Sequence, residues 1–126
     1  MRLQIVHRLP FVGLSIEYGG RKLFIPRVLV DTGSASTVLS ADVLDAVHIR
    51  PRSDDLLRRI RGVGGGEIVF TREVDSIQVG EMVMHNYRID VGGMDYGFEI
   101  NGILGMDFLS VTKAVIDLAA MELRFG

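Results

Sequence analysis

The chain has 126 residues, of which 48% are hydrophobic and 24% charged, with a formal net charge of -2. This length suits one domain with one core and is too short for two full lobes, and the balanced charge gives no reason to expect nucleic acid as a partner. There is no cysteine, which excludes disulfides, thiol nucleophiles and thiolate metal sites. No apolar stretch has the length of a membrane span and the N-terminus lacks the apolar core of a signal peptide, so we expect a cytoplasmic protein that does not interact with membranes.

The first clear strand signal is residues 12–18, where apolar and polar side chains alternate. The pair Gly19-Gly20 has the backbone freedom of a two-residue hairpin turn, so this segment is predicted to fold back on residues 22–30. Pro26 cannot donate a hydrogen bond to a neighbouring strand, which predicts a bulge or an edge position there. The chain therefore begins as a β-hairpin.

The second strand of this hairpin ends abruptly in the polar run Asp31-Thr32-Gly33-Ser34. A carboxylate at the end of a buried strand is costly unless it is hydrogen-bonded, and the amides and hydroxyls that follow Asp31 are suited to meet that cost. These residue types fit a functional carboxylate. For the tripeptide taken alone, an ordinary strand-end turn is the favoured interpretation.

The rest of the chain also favours strands, with two short helices. Residues 41–48 have apolar side chains at helical spacing after Ser40, a residue type that caps helix N-termini, and a second helix is predicted at 106–111. Further strands are predicted at 56–63, 67–74, 76–79, 82–91, 115–118 and 122–125.

Residues 60–66 read Ile-Arg-Gly-Val-Gly-Gly-Gly, a pattern that suits a mobile hairpin tip. It is not a phosphate-binding loop, because Glu67 stands where a dinucleotide fingerprint needs its last glycine and no Gly-Lys-Ser/Thr sequence occurs. A lid over a ligand and a plain flexible hairpin both remain open for this segment taken alone.

A third feature is the segment Ile103-Leu104-Gly105-Met106-Asp107-Phe108, which leads from an apolar strand into the second helix. An apolar strand ending in Asp-Thr-Gly, a glycine-rich hairpin in mid-chain and this apolar-apolar-Gly segment occur in the same order in retropepsin-like aspartic proteases. The chain resembles that family over most of its length. The resemblance implies one all-β domain over residues 1–126, a single-lobe closed β-barrel of the acid protease fold with one or two short helices.

The resemblance also implies a function and an assembly. The reaction needs two carboxylates about 3 Å apart, one acting as base toward water while the other protonates the peptide carbonyl. Asp-Thr-Gly occurs once in this sequence, so the expected enzyme is a homodimeric aspartic endopeptidase with Asp31 as the catalytic residue of each subunit. By the same resemblance, Thr32 would hold together the two loops that carry Asp31, one from each subunit, and Gly33 would let the substrate backbone approach. No cofactor is expected.

Substrate would be a peptide or protein in extended conformation, held beneath a flap. The flap residues that the resemblance assigns are Arg61, Gly62, Val63, Gly64 and Gly65. The pocket-lining residues that it assigns are Val38, Ile100, Asn101 and Ile103.

Ser34 departs from the retroviral pattern, where alanine is usual, and agrees with pepsin lobes. We expect its hydroxyl to donate to the Asp31 carboxylate, stabilise the ionised form and make the activity optimum more acidic. Ala35 and Met106 replace an acid and an arginine that retroviral enzymes pair, and Asp107 with Thr37 is the candidate replacement.

Arg61 beside the flap tip could contact an acidic substrate residue, or it could be solvated together with Arg58 and Arg59. The solvated interpretation is favoured for all three arginines.

Other functions fit less of the sequence. Asp42, Asp45 and His48 could share a helix face, but such spacing is normal on exposed helices and no metal site is expected. The run from Asp31 to Ser34 also resembles the Asp-x-Gly-Thr/Ser turn of sugar kinases and actin, which need two α/β domains that this chain is too short to form. The more serious alternative is a retropepsin-like module with weak or no catalytic activity that serves dimerisation or peptide binding.

Overall fold

The structure is a computed structural model that describes residues 1–62, 65–94 and 97–126, with the backbone alone at 60–62 and 65–67. Ten strands occur in this described part of the chain: β1 Gln4–Val6, β2 Leu9–Tyr18, β3 Arg21–Val30, β4 Val38–Ser40, β5 Arg58–Gly62, β6 Gly65–Val79, β7 Met82–Gly92, β8 Gly102–Leu104, β9 Ala114–Asp117 and β10 Glu122–Phe125. The helices are α1 Ala41–Leu44 and α2 Met106–Val111, and a 3₁₀ turn at Asp45–Val47 follows α1. The prediction of an all-β protein with two short helices is confirmed.

Eight strands form one sheet in the order β1-β2-β3-β8-β4-β7-β6-β5, and β2 also pairs with β6. This last pairing joins the two ends of the series from β2 to β6 into a ring, which leaves β1 and β5 attached outside it. β9 and β10 form a separate hairpin. The predicted closed single-lobe barrel is thus confirmed, and closure removes most of the exposed sheet edges.

The first hairpin follows from local sequence. Gly19 and Gly20 have φ angles of 59° and 78°, a conformation that residues with a Cβ rarely adopt, and they connect β2 to β3 as predicted. The register then shifts by one residue opposite Gly13, because Pro26 and Arg27 together occupy the place of one residue. The bulge predicted from Pro26 is therefore confirmed.

The end of β3 lies beside two short strands that carry the rest of the candidate site. β8 pairs in parallel with β3 and antiparallel with β4, so it lies between them. Such close packing explains the glycine that opens β8, because a Cβ on Gly102 would come within 2.6 Å of the Leu39 side chain. β4 was not predicted, since a three-residue strand carries too little pattern to detect.

The second helix spans the predicted residues, whereas other boundaries differ. The helix predicted at 41–48 is one α-helical turn capped by the Ser40 hydroxyl, then the 3₁₀ turn, and it ends at His48 with φ of 66°. β6 is one continuous strand where two were predicted, and β5 begins at Arg58, two residues later than the predicted start at 56. No helix within the described part of the chain is long and apolar enough to cross a membrane.

Two groups of buried side chains hold the fold together. The larger fills the barrel and includes Leu14, Ile16, Leu39, Leu104 and Phe108, each at most 1% exposed. The smaller lies on the other face of the sheet, where Phe11, Ile100 and Ile103 are buried against half-buried neighbours. Adjacent residues of one strand, Ile103 and Leu104, belong to different groups because strand side chains alternate between faces.

Candidate active site

Asp31 lies immediately after β3, in a loop whose backbone is tied to β8. Its N–H donates to the Leu104 carbonyl oxygen at 3.0 Å, and its own carbonyl oxygen accepts from the Ser34 N–H at 3.2 Å. The Asp31 side chain is half-buried, while Thr32 and Gly33 are exposed. The loop therefore has a fixed base and an open outer face.

The Asp31 carboxylate is held by backbone. The Gly33 N–H donates to Asp31 Oδ1 at 2.8 Å, an interaction that also fixes the side-chain rotamer. The predicted bond from Ser34 is not formed, because the Ser34 hydroxyl donates its one proton to the Ser36 carbonyl oxygen at 2.8 Å. Ser34 therefore braces the loop and does not contact the carboxylate directly.

Gly105 allows the segment after β8 to pack against this loop. A Cβ at Gly105 would lie 2.6 Å from the Ser36 carbonyl carbon and 2.9 Å from the Ser34 carbonyl oxygen, closer than real atoms approach. The Met106 N–H donates to that Ser34 oxygen at 2.8 Å and the Asp107 N–H donates to the Ala35 oxygen at 3.2 Å. The N-terminus of α2 is thus bonded directly to the loop that carries Asp31.

A buried polar network supports the same junction. The Thr37 hydroxyl donates to Asp107 Oδ1 at 2.8 Å and accepts from the Gly105 N–H at 3.1 Å. The Tyr87 hydroxyl donates to Asp107 Oδ2 at 3.0 Å. Burial and the charge of the nearby Asp107 carboxylate raise the pKa of Tyr87 well above its ordinary value, so the hydroxyl remains a donor. The predicted contact between Asp107 and Thr37 is confirmed within one chain, and Tyr87 is an addition that the sequence did not reveal.

Comparison with known proteins agrees with this geometry, since an aspartyl protease family model matches residues 14–108. The chain belongs to the retropepsin-like aspartyl protease family. It is also 28% identical over 107 residues to DNA damage-inducible protein 1 of Neurospora crassa. That alignment covers 84% of the chain but only 23% of the relative, so the chain spans about a quarter of the length of this curated protein.

The pocket residues expected of a retropepsin-like protease are only partly brought together. Ile100 and Ile103 are 5% and 8% exposed and lie in the smaller apolar group, beside half-buried Leu29, Met94 and Phe98. These three neighbours are more exposed than Ile100 and Ile103 are. Sequence reasoning missed Met94 and Phe98 because they lie on a segment that carries no motif, and it missed Leu29 because the apolar strand before Asp31 does not show which of its side chains face the site.

Val38 and Asn101 are placed differently. Val38 is the cross-strand partner of Ile103 but is 2% exposed, so its side chain presents almost no surface to a ligand in this structure. The Asn101 side-chain amide donates to the Pro26 carbonyl oxygen at 2.8 Å, and the Asn101 N–H donates to the Arg27 oxygen at 2.9 Å. Asn101 thereby braces the bulge in β3.

The flap prediction falls largely outside what the structure describes. Val63 and Gly64 lie outside the described residues, and at Arg61, Gly62 and Gly65 only the backbone is described. The backbone does form the predicted hairpin, with β5 antiparallel to β6 and Gly62 opposite Gly65.

The sequence did not reveal the partner of Arg58 in the fold. Its guanidinium donates to the carboxylate of Asp90, which is 3% exposed and also accepts from the Thr71 hydroxyl at 3.2 Å. The interpretation of Arg58 as a merely solvated side chain is therefore wrong. A signal was present, since Asp90 interrupts the apolar residues of a predicted strand and a buried carboxylate requires a partner.

Asp45, one of the residues considered for a metal site, has a different partner. Arg50 donates to the Asp45 carboxylate at 2.6 Å and lowers the pKa of Asp45 below its ordinary value. Across residues 1–62, 65–94 and 97–126, no three His, Asp or Glu side chains are grouped so as to hold a metal ion.

Proposed function

We propose that this chain is an aspartic endopeptidase that acts as a homodimer, with one Asp31 from each subunit in the catalytic dyad. The observation that carries the proposal is the placement of Asp31 on a loop braced by β8 and α2, with its carboxylate oriented by the Gly33 N–H at 2.8 Å. A rigidly held carboxylate with an open face is what a residue that activates water needs.

The second carboxylate is the reason for proposing a dimer. Aspartic proteolysis uses two carboxyl groups about 3 Å apart that share one proton, because like charges this close cannot both ionise. The sequence has one Asp-Thr-Gly, and the outer face of its loop is exposed at Thr32 and Gly33. In a twofold dimer this self-complementary face would bring two copies of Asp31 together.

In that dimer each group has a role. One Asp31 carboxylate accepts a proton from water as the oxygen attacks the scissile carbonyl, and the other donates a proton to the carbonyl oxygen. Thr32 would bridge the loops, Gly33 would leave room for substrate backbone, and the bond from Ser34 to Ser36 keeps the loop in shape. The hydrolysis needs no further cofactor in this scheme.

The substrate in this proposal is an extended peptide with apolar side chains near the scissile bond. The smaller apolar group around Ile100 and Ile103 offers the surface for these side chains, through half-buried Leu29 and Phe98. Arg61, Gly62, Val63, Gly64 and Gly65 remain the proposed flap, which would bind substrate main chain.

The first test is cleavage of a diverse peptide library at acidic and neutral pH by the wild type and by Asp31→Asn. Cleavage between apolar residues that disappears in Asp31→Asn supports the proposal. Equal background in both proteins rejects it and favours a binding or dimerisation module.

A mixing experiment tests whether the dyad is shared between subunits. Wild type is held at constant concentration while folded Asp31→Asn is added. If each active site needs two copies of Asp31, one equivalent of the variant lowers activity to about half and nine equivalents lower it to about a tenth. Unchanged activity, together with a monomer in sedimentation, would contradict the homodimer.

A further inference from the structure

The ion pair between Arg58 and Asp90 lies on the same face of the sheet as the smaller apolar group. Ile89 and Val91 belong to the group that fills the barrel, so Asp90 between them points to the opposite face. Ile103 is the cross-strand partner of Val38, and Val38 is the partner of Asp90. Directly paired residues project to the same side, so this face continues from Ile103 to Asp90.

Two further strands extend the same row. Thr71 on β6 is the partner of Asp90 and donates to its carboxylate at 3.2 Å. Arg58 on β5 pairs with Val69, two residues from Thr71, and its guanidinium reaches the other carboxylate oxygen of Asp90. Hydrogen bonds to both oxygens of Asp90 fix the end of the Arg58 side chain.

The two members of the pair differ in access to solvent. The Asp90 side chain is 3% exposed and the Arg58 side chain is 56% exposed. A ligand at this face therefore meets the Arg58 side chain and not the Asp90 carboxylate. Arginine has five N–H donors, and the bond to Asp90 uses one terminal nitrogen, which leaves donors for a second acceptor.

We propose that Arg58, positioned by Asp90, is a specificity-determining residue that selects a carboxylate side chain in the substrate peptide, flanking the apolar residues at the scissile bond. This inference rests on the proposed peptidase function. Asp90 is a positioning residue, because it acts on substrate only through Arg58. A glutamate of the peptide would add a charge-assisted hydrogen bond to a guanidinium that is already oriented.

The test uses octapeptides with an apolar pair at the centre, in which each flanking position in turn is Glu or the isosteric Gln. For the wild type we expect one position at which kcat/KM is about fivefold higher for Glu than for Gln, the size of effect typical of a half-exposed ion pair. The ratio is expected to fall as salt is raised, since the pair is screened.

The main variant is the double substitution Arg58→Gln with Asp90→Asn, which removes both charges and leaves no buried carboxylate without a partner. It is expected to show a Glu-to-Gln ratio of kcat/KM near one, whatever its absolute rate on the Gln peptide. Arg58→Lys keeps the positive charge, but its single ammonium group would be engaged by Asp90. This variant is expected to lose most of the preference for Glu over Gln. Arg59→Gln is the matched control on the same strand and is expected to keep it.

The inference is overturned if the double variant keeps the Glu preference, or if Arg59→Gln loses this preference to the same extent as the double variant.

If the wild type cleaves none of the peptides, the proposed function fails and the inference is tested by binding. Affinities of the same peptides for Asp31→Asn and for Asp31→Asn carrying the double substitution then decide it. Tighter Glu binding that depends on Arg58 supports the inference, and equal or absent binding overturns it.

Discussion

Thr37→Val replaces a hydroxyl by a methyl group of nearly the same size at the centre of the network that joins the Asp31 loop to α2. Thr37 is fully buried, at 0% exposure. Its hydroxyl donates to Asp107 at 2.8 Å and accepts from the Gly105 N–H at 3.1 Å. The valine can do neither.

The structure gives the size of the effect. Loss of a hydrogen bond to a charged group costs about 1.5–3 kcal/mol, and a buried N–H left without an acceptor costs about 1–3 kcal/mol. The added methyl recovers about 1 kcal/mol through burial, so the free energy of unfolding should fall by about 1.5–5 kcal/mol. For 126 residues the unfolding entropy is about 0.26 kcal/mol/K, so Tm should fall by about 6–19 °C.

Urea unfolding and a thermal melt followed by circular dichroism, both at one protein concentration, measure these changes. Thr37→Ser is the control, because it keeps the hydroxyl and loses only one methyl group, worth about 1 kcal/mol. Tyr87→Phe should be intermediate, since Asp107 keeps its bond from Thr37. If Thr37→Val destabilises no more than Thr37→Ser, the network does not support the fold in the way described.

Two other substitutions test the site and the terminal hairpin. Gly105→Ala would force the backbone of α2 away from Ser36, so we expect a loss of about 1–3 kcal/mol in unfolding free energy and a lower kcat on any cleaved peptide. Wild-type stability and turnover in this variant would contradict the close packing. Asp117 has a pKa below its ordinary value because the Ala120 N–H and Arg124 bond to its carboxylate, so this group stabilises the folded state when ionised. Wild type should therefore be more stable than Asp117→Asn near neutral pH, and the difference should vanish as pH falls below about 4, through the lowered pKa. A difference that urea unfolding finds independent of pH would contradict this assignment.

Local patterns were sufficient for the elements that local physics controls. Gly19-Gly20 predicted the first hairpin because only a few residue types adopt positive φ, and Pro26 predicted the bulge because proline has no N–H. Residues 106–111 formed the predicted helix. The three ordered motifs were enough to indicate the family.

The interactions of polar side chains with distant partners could not be predicted in the same way. Ser34 has two acceptors within reach in sequence, the carboxylate of Asp31 and the carbonyl of Ser36, and only the loop conformation decides between them. Asn101 belongs to a predicted pocket segment, but the fold brings it to the bulge at Pro26, 75 residues away along the chain.

The sequence by itself determined that the chain is a β protein with a carboxylate, Asp31, after a buried strand, because alternation, turn residues and strand ends are properties of neighbouring residues. Only the tertiary structure decided what surrounds that carboxylate. Gly105 packs against the Asp31 loop, the Tyr87 hydroxyl donates a hydrogen bond to Asp107, and Arg58 forms an ion pair with Asp90. These contacts depend on closure of the barrel, which brings together residues whose separation along the chain carries no pattern of its own.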